Sequence, residues 1–247
     1  MAKKGEIEYS YPYHYLPRYS DGKFRQSKHW SWGYQFIAAQ ELILNELDRI
    51  EFEYLLDVGC GDGRLLQELG EQYPRKTFCG VDISQSGIYM AKALNRHENV
   101  TYLEEDITET SLRKDGFDVV TLVETLEHIP PNEVHDFIKG IIQQMAQDGK
   151  LILTVPSKNK TVSDLHYQHF SVEQLKYILS EAGLTIEGVK FIERMDFIPQ
   201  FLLKIFKRVW VYRAGTRIAG WCYEYYRDNL FVGEETNTGR IFAIAKK

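Results

Sequence analysis

Residues 54–66 read YLLDVGCGDGRLL. A short apolar run carries one carboxylate, Asp57, and is followed by glycines at alternate positions, Gly59, Gly61 and Gly63, before a new apolar pair begins at Leu65. An apolar run bounded by glycines predicts a buried strand, and the Leu-rich stretch after it predicts a helix. Glycine lacks a Cβ, so the backbone between the two can turn sharply and a ligand can lie against it.

The same grammar repeats along the chain. Strand TFCGVDI leads to helix SGIYMAKALNRH, strand VTYLEEDI to a short connection, strand DVVTLVET to helix NEVHDFIKGIIQQMA, and KLILTVPS comes after a DG turn. In SVEQLKYILSEAG, Ser171 is placed to cap a helix start and Gly183 to end it. Strands TIEGVKFIE and GRIFAIAKK complete the series. Strands alternating with helices predict βαβ units: an α/β fold with a mostly parallel, Rossmann-like sheet and helices on both faces.

The bulk properties set limits. At 247 residues the chain suits one large domain or a domain with an insertion. Hydrophobic residues are 44% and charged residues 26%, enough for a sizeable core. A net charge of -5 leaves no global footprint for nucleic acid, and none is expected as a partner. Three cysteines, Cys60, Cys79 and Cys222, without CxxC spacing argue against a disulfide framework and fit a reducing, cytoplasmic setting. MAKKGEIEYS lacks the apolar core of a signal peptide, and no uncharged run is long enough to span a bilayer.

In an open parallel sheet ligands bind outside the carboxyl ends of the strands. A dinucleotide fold would use the first turn for pyrophosphate with GxGxxG spacing. Here the spacing is GxGxG, and Asp57 precedes it. A carboxylate repels phosphate and favours a cation, an ammonium or a sulfonium, which turns the reading from an NAD oxidoreductase towards S-adenosylmethionine (SAM). Asp82 closes the second strand in GVDIS, where a carboxylate can accept hydrogen bonds from both hydroxyls of a ribose. Asp106 closes the third in EEDI, within reach of an adenine amino group. Each acid alone is an ordinary strand-end residue; three on successive strands beside GxGxG point to a nucleoside-type ligand. A non-catalytic nucleoside-binding subunit is the reading from a different class, disfavoured because the loop and all three acids are intact.

LLDVGCGDGRLL, GVDIS, EEDI, and VETLEHIP before GKLILTVP together resemble the class I SAM-dependent methyltransferases over roughly residues 54–183. The resemblance implies a seven-stranded sheet with its last strand antiparallel and SAM as cofactor. It implies that Asp57, Gly59, Gly61 and Gly63 hold the methionine part. Asp82 and Ile83 would hold the ribose and flank the adenine, Asp106 and Ile107 would hold the adenine, and Glu124 and Thr125 would lie beside the sulfonium.

Methyl transfer is an in-line displacement, and a hydroxyl acceptor must also lose a proton. Histidine titrates in the right range for a base. His128, in ETLEHIPP, and His166 and His169, in DLHYQHFS, come after strands on the expected ligand side, with His128 and His169 preferred. No metal is expected as the first reading. Glu124, Glu127 and His128 nevertheless form ExxEH, with His166 or His169 available as a fourth ligand, and two carboxylates with imidazoles suit a divalent metal. That pattern resembles methyltransferases of ubiquinone-precursor phenols and of the 2′-hydroxyl ending small RNAs, although EHIP also occurs in metal-free relatives.

The flanks supply the remaining expectations. Residues 1–34, rich in aromatics and including KHWSWGY, are expected to cover the cleft ahead of a methyltransferase domain at 35–247. Within that domain, 197–237 breaks the alternation as a helical insertion, cationic and aromatic in QFLLKIFKRVWVY. It is expected to be a lid or homodimer contact, with peripheral membrane contact as a further reading. The acceptor is expected to be a small molecule or sugar, the latter by resemblance to methyltransferases of surface-glycan biosynthesis.

Overall fold

The computed structural model describes residues 17–26, 33–206, 208 and 216–247. Most of the aromatic segment expected to cover the cleft, and residues 209–215 of the insertion, lie outside the described residues.

The first described element is a hairpin, β1 (Pro17–Ser20) and β2 (Lys23–Gln26), antiparallel across Asp21 and Gly22. Both turn residues have positive φ, 52° and 67°, the geometry for which Asp-Gly is selected in two-residue hairpins. Helix α1 (Gly33–Leu47) comes next. The alternation then runs β3 (Tyr54–Val58), α2 (Arg64–Gln72), β4 (Thr77–Asp82), α3 (Gln85–Leu94), β5 (Val100–Glu104), β6 (Phe117–Val123), α4 (Val134–Gln144), β7 (Met145–Pro156), α5 (Val172–Glu181) and β8 (Thr185–Arg194). Helices α6 (Phe197–Phe206) and α7 (Thr216–Asn229) precede the closing strand β9 (Thr238–Lys246).

Seven strands make one sheet in the order β5-β4-β3-β6-β7-β9-β8. The pairs β3–β4, β4–β5, β3–β6 and β6–β7 are parallel, and the sheet closes with antiparallel strands at the β9–β8 edge. Strand order reverses between β3 and β6, which puts a crevice beyond their carboxyl ends. Burial explains why the strands read as continuous apolar runs. Leu55, Leu56 and Val58 on β3, Val119, Val120 and Leu122 on β6, and Leu151, Ile152, Leu153 and Val155 on β7 are all buried, so neither face of the central sheet meets water.

Caps place two of the helices. Ser84 Oγ accepts from the Gly87 N–H at 3.1 Å to start α3, and Ser171 Oγ accepts from the Gln174 N–H at 3.1 Å to start α5. Gly183, at φ 90°, ends α5, where Leu184 N–H reaches back to Leu179 O. Strand β7 begins earlier than the sequence predicts. Met145 pairs with Phe117 and Lys150 with Val119, so extra residues bulge out on the β7 side around the DG turn.

The described residues form two compact units. One is built on Ile50–Val189 with Ile241–Lys247 and holds β3 to β7. The other gathers the described parts of Pro12–Arg49 and Lys190–Arg240. Its core is aromatic. Phe24 meets Tyr34 edge-on with centroids 4.7 Å apart, and Tyr223 lies 5.7 Å from Tyr34. The hydroxyls are satisfied: Tyr34 donates to Ala219 O at 3.0 Å and Tyr223 to Glu41 at 2.6 Å. Among the described tyrosines of the flanks, these serve packing.

Candidate functional site

Every candidate residue belongs to the first unit. The turn after β3 is tied to β4 by backbone hydrogen bonds: the N–H groups of Gly59 and Cys60 donate to Val81 O at 2.8 and 3.1 Å. Gly59, at φ 72°, lies so close to Thr125 that an added Cβ would come within 2.4 Å of its side chain. At Gly63, φ 76°, an added Cβ would meet Asn95 and Tyr102 at 2.7 Å. These two glycines are therefore needed by the turn itself, whatever lies on it.

Asp57 is buried on β3 beneath the turn, and the Thr121 hydroxyl of β6 donates to its Oδ1 at 2.7 Å. Burial pushes its carboxyl up to about 7; the Thr121 hydrogen bond works against this, and the charge of Asp82 adds to it. A cation brought against Asp57 would draw that proton off. Asp82, also buried, braces the turn: its Oδ2 accepts from Gly61 N–H at 2.9 Å and its Oδ1 from Ser84 N–H at 2.7 Å. Next to it Ile83 is half exposed, an apolar side chain at the carboxyl edge of the sheet.

Asp106 is exposed, and its Oδ1 accepts from the Thr108 N–H at 2.9 Å and hydroxyl at 2.7 Å, so in this state it caps its own turn. Ile107 beside it is buried. Glu124, the residue after β6, has φ 50°, rare for a residue with a Cβ and of a kind that clusters at functional sites. Thr154 holds it there: Glu124 N–H donates to Thr154 O at 3.1 Å, and the Thr154 hydroxyl donates to Glu124 Oε1 at 2.9 Å. Thr125 then fills the space that Gly59 leaves open, its hydroxyl donating to Val123 O at 3.1 Å.

Beyond Thr125 a short 3₁₀ turn, Leu126–His128, meets the loop after β7. His128 and His166 lie with ring centroids 4.9 Å apart, and His166 and His169 with centroids 5.1 Å apart. Their tautomers can be deduced. A carbonyl only accepts, so His128 Nδ1, 3.1 Å from Leu165 O, carries a proton, as does His169 Nδ1, 3.1 Å from Lys160 O. When the His169 ring is neutral its Nε2 is therefore an acceptor, and His166 Nδ1, 2.8 Å away, is the donor. In the neutral state His128 keeps a lone pair on Nε2. Buried Glu127 joins them: one ligand atom from each of Glu127, His128 and His166 lies within 4.8 Å of the others. This donor set, one carboxylate and two imidazoles, fits a divalent metal such as Mn or Zn.

The structure thus redistributes two sequence expectations. His169, preferred as a base, is buried with both ring nitrogens engaged, and it orients His166. Of the candidate metal ligands, Glu127, His128 and His166 cluster, whereas Glu124 accepts a hydrogen bond from Thr154 and lies outside the cluster. Sequence reasoning missed Thr121, although a lone hydroxyl in the apolar run VVTLV was a signal. It also missed a cleft of about 410 Å³ lined by Val134, His135, Gln168, Gln174 and Tyr177, which includes none of the expected cofactor residues.

Comparison with known proteins agrees with this geometry. The family described as "Methyltransferase domain" matches residues 31–189. A malonyl-[acyl-carrier protein] O-methyltransferase of Bacillus cereus is 25% identical over 130 residues, covering 53% of this chain and 47% of the relative. A ubiquinone biosynthesis O-methyltransferase of Coxiella burnetii is 34% identical over 109 residues, 43% of this chain and 45% of the relative. The chain spans about half the length of these curated relatives. Among solved structures, the [4+2]-cyclase SpnF superposes with a TM-score of 0.62 at 21% identity, covering 94% of this chain and 87% of the cyclase. A SAM-dependent methyltransferase from Archaeoglobus fulgidus gives 0.58 at 19% identity, covering 87% and 98%. These likenesses establish the fold; the cyclase shows that the fold alone does not name a reaction.

Proposed function

The chain belongs to the methyltransferase-domain family, whose cofactor is SAM, and on that premise we propose that it moves the SAM methyl group to a hydroxyl, with an amine as second choice, of a small molecule or sugar. The observation that carries the hydroxyl reading is the chain of three histidines after β6 and β7: His128 Nδ1 is anchored on Leu165 O, His169 Nδ1 on Lys160 O, and His166 Nδ1 lies 2.8 Å from His169 Nε2.

SAM supplies an electrophilic methyl on a sulfonium. In this reading Asp57 and the Gly59–Gly61–Gly63 turn hold the methionine ammonium and backbone, and Asp82 takes the ribose hydroxyls. Ile83, Asp106 and Ile107 border the adenine, and Glu124 and Thr125 lie beside the sulfonium. His128 or His166 would take the proton of the acceptor hydroxyl as the methyl group that SAM supplies passes to its oxygen. His169 is a positioning residue for His166. Three free cysteines support placing the chain in the cytoplasm, and among the described residues no helix is long and apolar enough to cross a membrane. A role in surface-glycan biosynthesis belongs to this same proposal and rests on the sequence resemblance.

A second reading is favoured by the Glu127–His128–His166 cluster: a divalent metal bound there would polarise a phenolic or ribose hydroxyl, and the imidazoles would serve as ligands. One set of assays separates the two. Asp82→Ala should weaken SAM binding in calorimetry by about 100-fold, the order expected for losing a buried charged hydrogen-bond partner; unchanged affinity removes the cofactor assignment. His166→Ala should lower kcat by about 10²- to 10⁴-fold, the range of general acid–base catalysis, with SAM affinity retained. Full activity after EDTA removes the metal reading. Activity lost to EDTA and restored by Mn or Mg removes the metal-free base.

A further inference from the structure

Helix α6 is apolar on both sides. Pro199, Leu203 and Phe206 are buried within their unit. On the opposite side Phe197, Ile198 and Phe201 are 82%, 66% and 52% exposed. Phe197 and Phe201 stack on each other at 5.9 Å and 13°, and exposed Met195 precedes them. A surface helix ordinarily turns polar residues outward, and large apolar side chains clustered on the outward side mark an interaction surface. Helix α7 of the same unit carries an exposed apolar and aromatic face of its own. Ile218, Trp221 and Tyr225, spaced three and four apart on one helix face, are exposed. Trp221 lies 5.9 Å from Tyr225, and Tyr225 meets Phe206 edge-on at 6.1 Å.

Charge says what the partner is. Residues 195–217 hold five cations, Lys204, Lys207, Arg208, Arg213 and Arg217, against one acid, Asp196, in a chain of net charge -5. Lys207 and Arg213 lie outside the described residues; Lys204, Arg208 and Arg217 are exposed. Acids close by in the chain are already engaged, Glu193 with Arg240 at 3.1 Å among them. Asp196 accepts from Arg194 at 2.6 Å and Asn237 at 2.9 Å, Glu224 accepts from the Tyr19 hydroxyl, and Asp228 pairs with Arg227 at 2.7 Å. A second copy of this patch would bring like charges together. We propose that the α6–α7 face docks on an anionic lipid bilayer surface. Phe197, Ile198 and Phe201 enter the headgroup–acyl boundary, Trp221 and Tyr225 sit at headgroup level, and the lysines and arginines meet lipid phosphates. This stands independently of the methyl acceptor.

The test is flotation of the full chain with vesicles of phosphatidylcholine alone and of phosphatidylcholine mixed with phosphatidylglycerol. The chain should float with the mixed vesicles and be released by raised salt. The variants Phe197→Ser/Phe201→Ser and Lys204→Glu/Arg208→Glu should each cut the bound fraction by about tenfold or more, with SAM binding unchanged as the check on folding. Tryptophan emission of the unaltered chain should be quenched by brominated lipid in the mixed vesicles, a reading that needs no variant. The proposal is overturned by absence of flotation, by equal binding of both variants, by unquenched emission, or by a dimer that Phe197→Ser/Phe201→Ser dissociates.

Discussion

Asp57 and Asp82 divide the work at the carboxyl edge. Asp82 is held by two backbone N–H groups, whereas Asp57 has a hydroxyl for company and is pushed up to about 7, first by burial and then by Asp82. A carboxyl raised above its ordinary value favours the fold while protonated. That contribution is present below the ordinary 3.8 and lost as pH rises towards 7. Ligand binding runs the other way, because a cation prefers the ionised form. SAM affinity is expected to rise with pH by up to about tenfold per unit below 7 and to level off above it. Near pH 6, calorimetry in buffers of different ionisation enthalpy should show about one proton released on binding. A flat affinity profile with no proton release would remove Asp57 from contact with the cation. Asp57 was legible as a strand-end acid. Its raised pKa was not, since Thr121 and the enclosing side chains come from far along the chain.

The glycine turn between β3 and α2 is the element on which the candidate site depends. Gly59→Ala meets two penalties together, a positive φ and a Cβ at 2.4 Å from Thr125, and should destabilise the chain by about 1–3 kcal/mol in urea unfolding. Gly188→Ala in β8 is the control: nothing lies within 4 Å of its added Cβ and no positive φ applies, so the change should be near neutral. Equal losses at both positions would mean that the turn is no tighter than an ordinary strand. Elements with a strong local signal, such as β3, the α5 caps and the Asp-Gly hairpin, were readable from residue order. The early start of β7 was not, because Met145 is drawn into the sheet by pairing with Phe117, and no local pattern announces that partner.

Taken as a molecule, the chain is acidic overall and carries a cationic, aromatic stretch, and the two facts support different partners. The acidic balance and the strand-end carboxylates suit a cationic cofactor; the 195–217 stretch suits an anionic surface. If the bilayer proposal holds, vesicle binding should fall with ionic strength while SAM binding by the buried acids should change little, since screening acts on exposed charges far more than on buried ones. By itself the sequence determined the strand–helix alternation, the turn with its glycines, the acids at or near the strand ends and the histidines that come after them; Asp106 falls two residues past β5 rather than closing it. All of these are properties of near neighbours, set by hydrophobic period and by backbone freedom. Only the tertiary structure decided the sheet order, the Thr121 hydroxyl on Asp57, the clustering of His166 with Glu127 and His128 while Glu124 lies outside, and which face of α6 stays bare. Each of these is a meeting of groups dozens of residues apart, or a surface left over once those meetings are made.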